Sequence, residues 1–138
     1  GDSEFVLWSL ANVSGVPINQ YCELLGHFDH EESMKEVADH VKNSAYEIIE
    51  KKHATYYGIA CAVKRICEAI IRDEKPILPI SSYLEGEYGI SDVVLSTPAI
   101  VGKNGLEYKV QVPINEEEQE KLEASAIALK EIIAQLDL

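Results

Sequence analysis

Positive charge is scarce in this sequence: 12 lysines and arginines stand against 24 aspartates and glutamates, a formal charge of −12 over 138 residues. That balance excludes binding along a phosphate backbone, which runs on clustered lysine and arginine. It also leaves no cationic cluster to hold an anionic acid or a dinucleotide, so any such clamp has to come from elsewhere. Cysteine is scarce too. Cys22, Cys61 and Cys67 form no CxxC pair, and an odd number does not close a disulfide framework. A reduced, cytoplasmic setting is the expectation. No run approaches the ~20 apolar residues of a membrane span, and no secretory leader pattern opens the sequence. Repeats and low-complexity tracts are absent. What remains is 46% apolar, ordinary for a soluble globular protein of one domain, which buries roughly 68% of its unfolded surface.

The order of elements follows from periodicity. Residues 4–8 and 11–18 read as short extended pieces broken by Asn12, Gly15 and Pro17. A polar connector covers roughly residues 26–33. Met34, Val37, Ala38, Val41, Ala45, Ile48 and Ile49 then recur at helical spacing, with Asp39, Lys42, Glu47 and Glu50 on the other side. From Tyr56 to Val63 the chain is apolar almost all round, which predicts a helix buried on most sides. It runs on through Ile66, Ala69 and Ile70 and stops before Lys75-Pro76, because a residue preceding proline leaves the α region. Strands are expected at Ile77–Tyr83, Val93–Val101 and Leu106–Val112. In the last of these Leu106, Tyr108, Val110 and Val112 alternate with Glu107, Lys109 and Gln111, the pattern of a half-buried strand. Lys103-Asn104-Gly105 marks a hairpin turn, since Asn-Gly tolerates positive φ. Pro79 and Pro98 suit edges or bulges better than a central strand.

A final helix is the clearest element. Asn115 with Glu118 three residues on forms a capping pair, and Glu116 and Glu117 suit the positive end of the helix dipole. Leu122, Ala126, Leu129, Ile133 and Leu136 give one apolar stripe facing the sheet. The fold class is α+β: helices, an antiparallel sheet, then a closing helix, one domain over residues 1–138.

Few residues carry chemistry on their own. His27 and His30 have H-x-x-H spacing beside Glu31 and Glu32, but metal ligation needs several donors on a fixed frame. On a connector they read as solvated, and His40 falls on its helix's polar side; the metal expectation is none. Cys61 and Cys67 sit in the apolar helix, where a free cysteine behaves as a small hydrophobe. Asp2 could orient a histidine, yet no histidine is near it in sequence. Thr55, at the start of the apolar helix, has two readings. A hydroxyl there commonly caps the helix, or it stands where a helix N-terminus meets an anionic ligand.

Four stretches resemble one family. Gly1-Asp2-Ser3-Glu4-Phe5-Val6-Leu7-Trp8, continuing to Ile18, is similar to the segment that follows the catalytic histidine in bacterial L-lactate dehydrogenases, where the family reads G-E-H-G-D-S-E. His53-Ala54-Thr55-Tyr56-Tyr57-Gly58-Ile59-Ala60, Pro79–Gly89 and Leu95–Gly105 match the same family in the same order. The resemblance covers nearly the whole chain and implies the C-terminal, substrate-side half of an NAD-dependent enzyme interconverting pyruvate and L-lactate. It implies that Thr55 lies beside the substrate, that Ile59 packs on the nicotinamide ring, and that Ala45 belongs to the pocket wall. It also implies that the proton-donating histidine stands just before Gly1. The nucleotide-binding half, with its Gly-rich loop and substrate-clamping arginine, would then be a separate N-terminal segment, and these residues alone would be inactive. The family's habit implies a homotetramer. Malate dehydrogenases share the fold, and malate or a branched 2-hydroxy acid is the alternative substrate. A different class of function, a non-catalytic interaction module held by the apolar helices, would need no nucleotide-binding partner.

Overall fold

The computed structural model describes residues 3–136, in two compact units. One unit combines the chain up to Ala54 with Pro113–Ser125; the other combines Thr55–Val112 with the residues after Ser125.

The first unit opens with a single 3-10 turn at Trp8–Leu10 and a two-residue ladder of β1 (Asn12–Val13) and β2 (Val16–Pro17). The turn between those strands is set by Asn12, whose side-chain oxygen accepts the Gly15 N–H at 3.1 Å. Helix α1 (Ile18–Leu24) follows directly, a seven-residue element the periodicity did not predict because it is too short to repeat an apolar face. Helix α2 runs from His30 to Lys52 and ends on His53 in the left-handed conformation. It begins four residues before the expected Met34, so the H-x-x-H pair does not lie in one loop: His27 is in the connector and His30 opens the helix. The predicted apolar face forms, but none of α2 is buried.

The second unit is built on a three-stranded antiparallel sheet, β3 (Ile77–Glu85), β4 (Ser91–Gly102) and β5 (Gly105–Lys109), in that order. Helix α3 (Tyr57–Arg72) packs on β4. Alternation on β4 sends Val93, Leu95, Thr97, Ala99 and Val101 to the buried face. With Leu84 of β3, Ile90 and Ala69 of α3, these side chains make the core of the unit. Two expectations fail here. Helix α3 is not buried on most sides; Ala69 alone is buried, and Cys61 and Cys67 are exposed. Ile66 and Ile70 are half-buried, while Tyr57, Ile59, Val63 and Ile71 stay more than half exposed. On β5 the covered side holds Glu107 and Lys109, while Leu106 and Tyr108 face outward. Ion pairing decides that: Glu107 pairs with Lys75 at 3.5 Å, and Lys109 reaches Glu87 at 2.9 Å and the Tyr83 carbonyl at 2.6 Å.

Pro98 stands in the central strand, not at an edge, directly opposite Pro79. Its carbonyl accepts the Val110 N–H at 2.8 Å, but it has no N–H to return. The Tyr88 hydroxyl lies 3.4 Å from the Val110 carbonyl that Pro98 leaves unserved, and accepts the Val112 N–H at 2.9 Å. At the β4–β5 turn the positive φ falls on Gly105 (86°) and not on Asn104, and the register shifts between Ile100 and Val101. The hairpin turn read from Lys103-Asn104-Gly105 forms, between the register partners Gly102 and Gly105.

Glu87, at the bend between β3 and β4, accepts the Glu85 N–H at 2.7 Å and pairs with Lys109. The Glu85 amide first, and then the Lys109 ammonium, hold its carboxyl down to about 2. A carboxyl depressed in the fold stabilises it above the unfolded value and ceases to do so as pH falls through the folded one. In urea titrations the gap between wild type and Glu87→Gln should therefore be full above about pH 5 and close as pH approaches 2. A gap that stays constant down to the acid end would show that the carboxylate does not stabilise this bend.

Helix α4 (Glu116–Ala134) begins as expected. The Glu118 N–H donates to Asn115 Oδ1 at 2.8 Å and the Asn115 N–H donates back to Glu118 Oε2 at 3.1 Å, a reciprocal capping box. Its stripe is buried at Leu122 and Ala126 and half-buried at Leu129, but Ile133 and Leu136 are exposed. The stripe thus finds cover over its first half only.

Candidate functional site

The turn into α3 is where the sequence places most of its chemistry. Left-handed His53 ends α2, its N–H returning to the Ile49 carbonyl at 2.7 Å. Tyr56 is the N-cap of α3, and no side chain caps it. The cap expected from Thr55 is therefore absent: Thr55 sits one residue too early, half-buried, just outside the first turn. The first bond of the helix is Ala60 N–H to the Tyr56 carbonyl, so the amides of Tyr57, Gly58 and Ile59 precede the intrahelical ladder. Ile59 stands in that first turn, after Thr55 in the chain, and is 64% exposed. Ala45 is exposed on α2, in the other unit.

Gly58 sits between them. A Cβ built on it meets nothing within 4 Å, and its φ is not in the left-handed region. Gly58→Ala should therefore stabilise the helix, by about 0.5–1 kcal/mol through reduced freedom of the unfolded chain. Thermal unfolding checks this; a lower midpoint would mean that the space over this turn is occupied.

The electrostatics of the described residues match the composition. Both arginines of the chain, Arg65 and Arg72, engage Glu74. The Arg65 hydrogen bond is the leading cause that holds the Glu74 carboxyl below its ordinary value. Arg65 hydrogen-bonds Glu74, while Arg72 stands 3.6 Å from the same carboxylate with its side chain 65% exposed. Among the described residues no group of three or more His, Cys, Asp or Glu could hold a metal ion, and no helix is long and apolar enough to cross a membrane. His27 and His40 are exposed; His30 is half-buried with its Nδ1 shielded from solvent. The motif around Gly1 and Asp2 lies outside the described residues, so its placement starts at Ser3.

Periodicity missed one polar feature. Glu118 is 4% exposed, and besides capping α4 it binds the start of the chain. The Ser9 N–H donates to its Oε1 at 3.0 Å and the Ser9 hydroxyl to its Oε2. Ser3 and Ser125 hydroxyls meet at 2.9 Å nearby. Burial works to raise the Glu118 carboxyl's pKa, but hydrogen bonds from the Ser9 hydroxyl and amide and the Asn115 amide outweigh it, and the value lies below the ordinary one. No spacing rule links residues 109 apart, so this contact has no signature in the sequence.

Against known proteins, residues 1–137 match the pattern of the lactate/malate dehydrogenase alpha/beta C-terminal domain. The chain is 51% identical over all its 138 residues to the L-lactate dehydrogenase of Acetivibrio thermocellus, of which it covers 44%. It is 52% identical over 131 residues to L-lactate dehydrogenase 1 of Clostridium acetobutylicum, 95% of this chain and 42% of that one. Among solved structures, the minor L-lactate dehydrogenase of Enterococcus mundtii in its ligand-bound form superposes with a TM-score of 0.91 at 41% identity. That match covers all of this chain and 44% of the other. The malate dehydrogenase of Aeropyrum pernix gives 0.86 at 34% identity, over 99% of this chain and 44% of its own. The chain thus spans somewhat less than half the length of these relatives.

Proposed function

The chain belongs to the lactate/malate dehydrogenase family, as its alpha/beta C-terminal domain, and from that premise we propose that it is the substrate-side half of an NAD-dependent L-lactate dehydrogenase. The observation that carries this reading is 51% identity over the whole chain to a protein named for that activity. Lactate is favoured over malate because solved L-lactate dehydrogenases stand at 41–42% identity, while the malate enzyme stands at 34%.

In this proposal Thr55 presents its hydroxyl to the 2-oxo acid and Ala45 belongs to the pocket wall. Ile59 offers an exposed aliphatic face to the nicotinamide ring, and the residues present fit the cofactor to that extent: an apolar side chain 64% exposed beside a glycine with open space above it. NAD, when bound, supplies the hydride exchange with the substrate carbon. The groups that hold its phosphates, clamp the substrate carboxylate and donate the proton belong to an N-terminal nucleotide-binding half, the donor being a histidine directly before Gly1. The formal charge of −12, with only 12 lysines and arginines, supports this division of labour. Assembly into a homotetramer is part of the same proposal.

The test is reconstitution. Fused behind the part of the Acetivibrio thermocellus enzyme that it does not match, the chain should reduce pyruvate with NADH at a kcat of about 1–1,000 s⁻¹. By itself it should show no turnover. Preference for oxaloacetate would move the assignment to malate, and strong turnover by the lone chain would sink the two-half account.

A further inference from the structure

The Glu118 carboxylate holds three donors. Ser9 N–H reaches Oε1, while the Ser9 hydroxyl and the Asn115 N–H share Oε2. Only a carboxylate satisfies all three. An amide at this position would turn an NH2 toward at least one donor, whichever way it flipped. Such an arrangement costs more in a buried setting than on the surface, because an unsatisfied donor there cannot turn to water. As a helix cap alone, Glu118 would need one of these bonds. The other two fasten a segment 109 residues away, and the Ser3–Ser125 contact repeats the fastening one to two helical turns further along α4. The segment so held, Ser3 to Leu10, contains little regular structure to stiffen it: one 3-10 turn, and no strand before Asn12.

We propose that Glu118 is a positioning residue for the reaction, its buried carboxylate fixing the segment that follows the proton-donating histidine against the start of α4. This rests on the two-half reading above. A proton donor has to be held within a few tenths of an ångström of its productive place, and a shift of 1 Å can cost about a hundredfold in rate. The chain leaving the donor is anchored at Ser9 and Ser3, and Glu118 and Ser125 are the anchors. Because the role is exercised through another residue, Glu118 touches neither substrate nor cofactor.

Two measurements test this. In the chain itself, amide hydrogen exchange should quicken about tenfold or more at Ser9–Ala11 in Glu118→Gln, and less in Ser9→Ala, with β3–β5 unchanged. In the fused enzyme, Glu118→Gln should lower kcat about tenfold while KM for pyruvate stays within about twofold. Ser9→Thr, which keeps the hydroxyl, should retain the wild-type kcat. A purely structural role would lower the thermal midpoint and leave kcat at 25 °C in place, and that result overturns the proposal. Unchanged exchange at Ser9 in Glu118→Gln overturns it as well, whatever the activity. If the wild-type fusion is inactive, the two-half reading falls and the positioning role with it. An active fusion with unmoved kcat removes the positioning role alone.

Discussion

Leu84→Ala should lower the unfolding free energy by about 3 kcal/mol, within the 2–5 kcal/mol range for emptying a buried leucine site. Leu84 is fully buried, and with Val93 it is one of the two largest side chains that are. They are register partners on β3 and β4, beside the bulge at the Leu84–Glu85 end of the ladder, and the lost methyl groups leave a cavity on the sheet's covered face. The core of that unit is small: Ala69, Ile90, Leu95, Ala99 and Val101 are the other buried apolar side chains of its sheet and helix. Against a domain stability of about 5–15 kcal/mol, a loss of 3 removes a large fraction. Val94→Ala is the internal control. Val94 is the next residue along β4, half-exposed on the opposite face, and its truncation should cost less than about 1 kcal/mol. Urea midpoints of the two variants, compared at equal m-value, decide the matter. Equal losses would mean that the sheet's two faces are covered alike.

The contrast between those neighbouring positions shows how much of the fold was legible in the sequence. Alternation on β4 and helical spacing on α4 are strictly local, and both elements lie where periodicity predicts, capping box included. Local patterns fail wherever the partner surface decides. β5 alternates cleanly, yet its apolar side chains face outward, because Lys109 and Glu107 find ionic partners on Glu87 and Lys75. No count of spacing could rank those two faces. Pro98 was expected at an edge or bulge and stands in the central strand, with the Tyr88 hydroxyl beside the Val110 carbonyl that proline leaves unserved. For the site, the family resemblance picked out Thr55, Ile59 and Ala45; Thr55 lies just before the helix turn that holds Ile59, Ala45 is on α2, and the N-cap position falls on Tyr56 and not on Thr55. Glu118 was read as half of a local pair, and its second use, on Ser9, depends on a contact that only the folded chain creates.

Free in solution, the 138-residue chain should self-associate. Its helix α3 carries a large apolar surface in the open: Tyr57, Ile59, Val63 and Ile71 are all more than half exposed. A helix apolar on nearly every side is stable in water only when something covers it. Net charge opposes association, since copies carrying −12 repel one another. Salt should therefore strengthen it, by shortening the Debye length from about 10 Å at 0.1 M toward 3 Å at 1 M. In sedimentation at micromolar concentration the chain should run heavier than 15.3 kDa, and should bind a hydrophobic dye. Replacing Ile59 and Val63 together by glutamine removes apolar area without changing charge, so it should shift the distribution toward monomer and cut the dye signal several-fold. A wild-type chain that is monodisperse and dark to the dye would overturn the prediction. Association that survives the double substitution would transfer the sticky surface to the outer face of the sheet, where Tyr83, Val94 and Tyr108 are exposed. In the fused enzyme the dye signal should fall as well, because the same α3 surface would then lie against the nucleotide-binding half and its neighbours.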